Sequence, residues 1–121
     1  MALKITNREV DGVSVLVFDG HHIVFGEETH ELSEKVNGLL AQGKKKLVLN
    51  MDHVRYIDSP GIGTLVNRFK SAKSQGASLR LCCLTPMCKV ELGIFSGLIE
   101  MFDTEADAVR SFSSQQLQAH G

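Results

Sequence analysis

Ser59 is the residue of this chain with the clearest chemical setting, in the run Tyr56-Ile57-Asp58-Ser59-Pro60-Gly61-Ile62-Gly63. A hydroxyl at such a place can cap a helix, act as a nucleophile or receive a phosphate. Apolar strand residues precede it (Leu47-Val48-Leu49, then Val54 and Ile57), and Ile62, Leu65, Val66 and Phe69 follow at helical spacing. Serine is a favoured N-cap and proline suits the first helical position, so the pattern predicts a cap at Ser59 and a first helical residue at Pro60. The free N–H groups and partial positive charge of a helix start suit a phosphate. A hydrolytic nucleophile would need a base, an orienting group and an oxyanion site. His53 is the nearest histidine in sequence, but the surroundings are not Gly-x-Ser-x-Gly. No catalytic residue is assigned, and the chain is not expected to be an enzyme.

Other residues with chemical potential are less ordered. Gly61-Ile62-Gly63 resembles the opening of a dinucleotide loop, but Val66 stands where the third glycine belongs. His21, His22 and His30 lie near Glu27 and Glu28 without any standard metal-ligand spacing. Cys82, Cys83 and Cys88 are odd in number and lack paired spacing, which fits buried thiols rather than a disulfide framework. No cofactor and no metal is expected.

The 121 residues suffice for one domain with a real core. A net charge of −1 argues against a nucleic-acid partner, and Lys44-Lys45-Lys46 reads as a solvated turn. No apolar run reaches the ~18 residues of a membrane span, the N-terminus lacks a signal-peptide layout, and the expected location is the cytoplasm.

Two strands, 3–9 and 13–18, flank the hairpin signal Asp11-Gly12. Ile23-Val24-Phe25 can form a short third strand. Leu32, Val36, Leu39 and Leu40 make the apolar stripe of a helix over 27–40. Residues 47–51 read as a buried central strand. The helix after Ser59 runs to about Gln75, with Gly76 as its closing glycine. A strand follows over 79–83, then a helix from Pro86 to about Phe95 with Val90 and Ile94 as core candidates. Ile99-Glu100-Met101 suggests an edge strand. Thr104 and Asp107 suggest a capping box for a last helix that buries Ala108, Val109 and Phe112. The expected class is α/β, a small mixed sheet with four helices packed on it. Residues 1–113 would form the domain and 114–121 a polar C-terminal tail.

Over about residues 3–112 the chain resembles the STAS domain, the fold of the bacterial anti-sigma-factor antagonists. Asp58-Ser59-Pro60-Gly61-Ile62-Gly63 is similar to the family's Asp-Ser-Ser/Thr-Gly-Leu/Ile-Gly turn. Leu47-Val48-Leu49-Asn50-Met51 and Leu84-Thr85-Pro86-Met87-Cys88-Lys89-Val90 also match family patterns. There are two departures. Pro60 removes a second hydroxyl, and Val24 falls where many members carry an aspartate, a place that Glu27 or Glu28 would have to fill instead. The resemblance implies a regulator of transcription. Its unphosphorylated form would bind an anti-sigma factor that is itself a serine kinase, phosphorylation of Ser59 would release it, and a phosphatase would reset it. The implied partner surface comprises Asp58, Ser59, Pro60, Gly61, Gly63 and Thr64, with His22 and Ile23 from the preceding loop. The alternative is a STAS scaffold that is not phosphorylated and binds a partner, a small ligand or, weakly, a nucleotide.

Overall fold

The computed structural model of the chain describes residues 4–20, 23–26 and 29–120. His21, His22, Glu27 and Glu28 therefore lie outside the described residues. Strands β1 (Ile5–Val10) and β2 (Val13–Phe18) form the expected hairpin. Asp11 and Gly12 both have positive φ, 51° and 79°, the geometry of a turn that matches strand twist. The short β3 (Ile23–Phe25) follows, then helix α1 (Thr29–Ala41). Next come β4 (Lys46–Asn50), β5 (Val54–Ile57) and helix α2 (Ser59–Ser74). Strand β6 (Ser78–Cys82) leads to helix α3 (Pro86–Leu92), which tightens into a 3-10 turn over Gly93–Phe95. Strand β7 (Met101–Phe102) and helix α4 (Glu105–His120) complete the chain. In its backbone, α4 continues through most of the segment expected as a tail.

Five strands form a mixed sheet in the order β1-β2-β4-β6-β7, antiparallel between β1 and β2 and parallel elsewhere. Both faces are covered. Leu16, Phe18, Leu47, Leu49, Leu79 and Leu81 pack with residues of α1, α2 and α3 on one side. Val13, Val15, Val48 and Cys82 pack with Ala108, Val109 and Phe112 of α4 on the other. This double burial is why β4 reads as a continuous apolar run rather than an alternation. Asp107 N–H donates to Thr104 Oγ1 at 3.1 Å, so the expected cap of α4 is made. Gly76, at φ 76°, ends α2 as the left-handed residue beyond its C-cap.

Two expectations need correction. The apolar signals before Ser59 belong to two strands in different sheets. The chain turns after β4, with Val54 N–H donating to Met51 O at 2.9 Å, and β5 pairs in parallel with β3 as a separate two-stranded ribbon. The second correction concerns α3. Val90 and Ile94 are 79% and 84% exposed, whereas Cys88 and Leu92 fill the core. A short helix starting at Pro86 can bury either i, i+4 pair. The phase is set at its first turn, where Thr85 Oγ1 donates to Val54 O at 3.0 Å and Cys88 Sγ to the same carbonyl at 3.3 Å.

Candidate functional site

The site is the junction of the β3–β5 ribbon with the start of α2. Strand β5 delivers the chain to Asp58, whose N–H donates to Phe25 O at 2.8 Å and so extends the ribbon ladder by one step. Asp58 has extended backbone (φ −77°, ψ 165°) and is the N-cap residue of α2, with no side-chain cap bond. Its carbonyl accepts the first helical bond, from Ile62 N–H at 3.0 Å. The cap thus lies one residue earlier than the sequence pattern predicts. Ser59 is the first helical residue and Pro60 the second. The ladder bond to Phe25 holds Asp58 in strand geometry, and Pro60 disfavours helical φ/ψ at Ser59 too weakly to move the boundary.

This shift frees the hydroxyl. Ser59 is exposed, as are Pro60 and Gly63, and Asp58, Thr64 and Ile23 are half-buried. The helix start leaves the N–H groups of its first three residues without intrahelical partners. Proline supplies none, so Ser59 and Gly61 are the donors on this turn. The site therefore holds a hydroxyl, two N–H groups without intrahelical partners and the positive end of a helix, with the Asp58 carboxylate as immediate neighbour.

Two glycines set the close packing here, and one contradicts an expectation. Gly61 is buried, and a Cβ on it would meet Phe25 O at 2.6 Å, the Phe25 ring at 2.8 Å and Ile57 Cγ2 at 2.9 Å. It lets the first turn of α2 rest on β3 and is an internal packing residue rather than part of an exposed surface. Gly63, by contrast, has open space around it. Gly26 is also buried, and a Cβ there would meet Asp58 Oδ2 at 2.8 Å. The Asp58 carboxylate is therefore held against the end of the β3 strand.

Glu91 is a site residue that sequence reasoning missed. Ile57 N–H, on the edge of β5 turned away from β3, donates to Glu91 Oε1 at 3.0 Å. A carboxylate from α3 thus closes the ladder two residues before Ser59. Nothing in the local sequence distinguishes Glu91 from any other helix-surface acid.

The remaining candidates disperse. His53 Nδ1 lies 2.9 Å from Phe18 O at the far end of β5. Four strand residues separate it from the α2 start, ~13 Å at the usual rise, so it does not serve Ser59 as a base. His30 stands near Glu31 and Glu34 on the exposed surface of α1, at 3.6 and 3.7 Å. Cys82 and Cys88 are buried, and burial pushes both thiols up from their ordinary range, so they persist as neutral packing groups. Among the described residues, no helix is long and apolar enough to cross a membrane.

Residues 4–108 match the sequence profile of the STAS domain. Several solved structures share the architecture. TM1081 of Thermotoga maritima, provisionally described as an anti-sigma factor antagonist, is 24% identical with a TM-score of 0.76, covering 88% of this chain and 92% of that one. SpoIIAA, a Bacillus cell fate determinant solved in its phosphorylated form, is 16% identical with a TM-score of 0.68, covering 92% and 99%. The murine anion transporter Slc26a9 is 19% identical with a TM-score of 0.70, and the match covers 88% of this chain but 18% of the transporter. The mixed sheet with four helices is thus shared across proteins with different tasks.

Proposed function

Since the chain belongs to the STAS domain family, we propose that it is an anti-sigma-factor antagonist switched by phosphorylation of Ser59. In this reading the unmodified protein binds an anti-sigma factor with serine kinase activity and so controls the availability of a sigma factor. Phosphorylation of Ser59 releases it, and a phosphatase restores the binding form. The protein acts by binding and not by catalysis, in the cytoplasm.

The observation that carries this reading is the exposed Ser59 hydroxyl on the first turn of α2. A phosphoserine adds about −1.5 to −2 charges. The helix start attracts that charge and Asp58 repels it, so within the domain the two effects partly offset each other. Across an interface the new charge is desolvated and unpaired, and truncation-scale penalties of ~3–5 kcal/mol there correspond to affinity losses of two to four powers of ten. Binding therefore responds to the phosphate far more than the fold does.

The test is incubation with the co-encoded anti-sigma kinase and ATP, followed by intact mass and peptide mapping. One added phosphoryl group at Ser59 is expected, with Ser59→Ala remaining bound in ATP and Ser59→Asp failing to bind. Equal binding by the two variants refutes the switch. One observation favours a second reading, a STAS scaffold that binds without phosphorylation. Val24, at the position where the family often has an acid, is an exposed apolar residue, 57% accessible and paired with Tyr56. Absence of phosphoryl transfer together with retained partner binding identifies that case.

A further inference from the structure

The described residues include six exposed large apolar side chains, and five of them stand on the β3–β5 ribbon or on α3 and its 3-10 extension, which is tied to that ribbon: Val24, Tyr56, Met87, Val90 and Ile94. Scattered exposed apolar residues are normal, whereas a contiguous group marks a contact surface. Met87, Val90 and Ile94 are spaced i, i+3, i+7 and share the outer face of α3 and its 3-10 extension. Helix α3 is tied along β5, at Val54 O by Thr85 and Cys88 and at Ile57 N–H by Glu91. It therefore runs beside β5 toward the α2 start, with its later turn next to Ile57. Tyr56 lies between those ties, and Val24 is its partner across the ribbon.

We propose that these five residues are the apolar centre of the surface covered by the protein partner that reads Ser59. This rests on the function proposed above and specifies how that site holds its partner. The size of the patch selects the occupant. A stable interface takes roughly 20–30 residues a side, so five side chains are too few for a dimer of their own. Joined to the Asp58–Thr64 turn, whose strand is tied to α3 at Ile57, they gain a polar edge of Asp58, Ser59 and Thr64, the layout of protein interfaces. Adhesion and switching are thereby divided between two groups of residues. The apolar centre supplies affinity, and Ser59 at its edge, once phosphorylated, supplies the charge that cancels it.

The test measures binding of the purified co-encoded anti-sigma factor to the full chain and to three variants. Val90→Ser/Ile94→Ser removes the outer face of α3 at two highly exposed positions, so its thermal melt should match the parent. Its affinity should fall by about 30-fold, the scale of a lost interface centre. Leu98→Ser, an exposed apolar residue outside the cluster, should bind within about twofold of the parent. Parental affinity of Val90→Ser/Ile94→Ser overturns the proposed surface, and loss of binding by Ser59→Asp in the same series leaves the switch intact. Loss of binding by the double variant with full binding by Ser59→Asp supports the surface and refutes the switch. A parent that sediments as a dimer, becomes monomeric in the double variant and binds the anti-sigma factor equally in both forms assigns the patch to a second copy and overturns the proposal.

Discussion

The five-stranded sheet and the β3–β5 ribbon are built on different principles. The sheet is held by redundancy: Leu47, Leu49, Leu79 and Leu81 on one face and Val13, Val15 and Val48 on the other are all buried, and each contributes a similar increment. The ribbon has three residues in β3 and four in β5, and its position depends on single contacts. Asp58 N–H reaches Phe25 O, Glu91 reaches Ile57 N–H, and Gly61 lets α2 settle on Phe25. A protein can thus keep a stable frame while the segment bearing its candidate switch is set by a few replaceable atoms.

The largest predicted effects test that division. Leu81→Ala, in the fully buried sheet core, should cost ~2–5 kcal/mol in urea unfolding, and amide protection should fall throughout the molecule. Loss of protection confined to β6 would show that the sheet is not one cooperative unit. Gly61→Ala comes next. Its added methyl meets a backbone oxygen and the buried Phe25, so a cost of ~1–3 kcal/mol is expected. Gly63→Ala, two residues along the same helix with open space, should instead stabilise by ~0.5–1 kcal/mol. Equal effects at the two glycines, read from paired thermal melts, would remove the argument that Gly61 is a packing residue.

Glu91→Ala should cost ~1–3 kcal/mol by leaving the Ile57 N–H unpaired, and Glu91→Gln, which keeps an acceptor, should recover most of it. The discriminating readout is hydrogen exchange at Ile57, which should accelerate in the alanine variant while amides of β4 hold. The smallest effect concerns acid. Burial disfavours the charge of Glu105, but hydrogen bonds from Arg8 and Asn50 outweigh it and hold its pKa below the ordinary 4.5. Because the folded value is the lower one, the stabilisation is fully present above the unfolded value and is lost as pH falls through the folded one. Glu105→Gln should therefore be less stable than the parent at neutral pH, with the gap closing below about pH 4.5. A gap that persists at low pH would assign the loss to packing rather than charge.

Most of the sheet was legible in the chain because burial leaves a periodic trace. The Asp11-Gly12 turn, the apolar run of β4, Gly76 after α2, the Thr104 cap and the Ala108–Val109–Phe112 face of α4 all follow from residue type and spacing. The ribbon was less so. Its strands were visible as apolar segments, but their pairing with each other, apart from the main sheet, depends on contacts between distant residues. The phase of α3 had two apolar solutions, Cys88 with Leu92 or Val90 with Ile94, and hydrogen bonds from Thr85 and Cys88 to Val54 O decide between them. Ser59 was found because a hydroxyl, a proline and glycines at a strand-to-helix join have a local meaning. Glu91 was missed because its role is purely tertiary. The same holds for Gly61, whose smallness is used inward, against Phe25.

The wedge of α2 against Phe25 also limits what any message at Ser59 can consist of. With backbone oxygen, aromatic ring and isoleucine methyl all standing where a Gly61 side chain would go, the first turn of the helix is seated closely on the ribbon. A modified and an unmodified molecule should then cast nearly the same silhouette. A reagent that recognises contour alone would not tell them apart, and one that senses electric potential would.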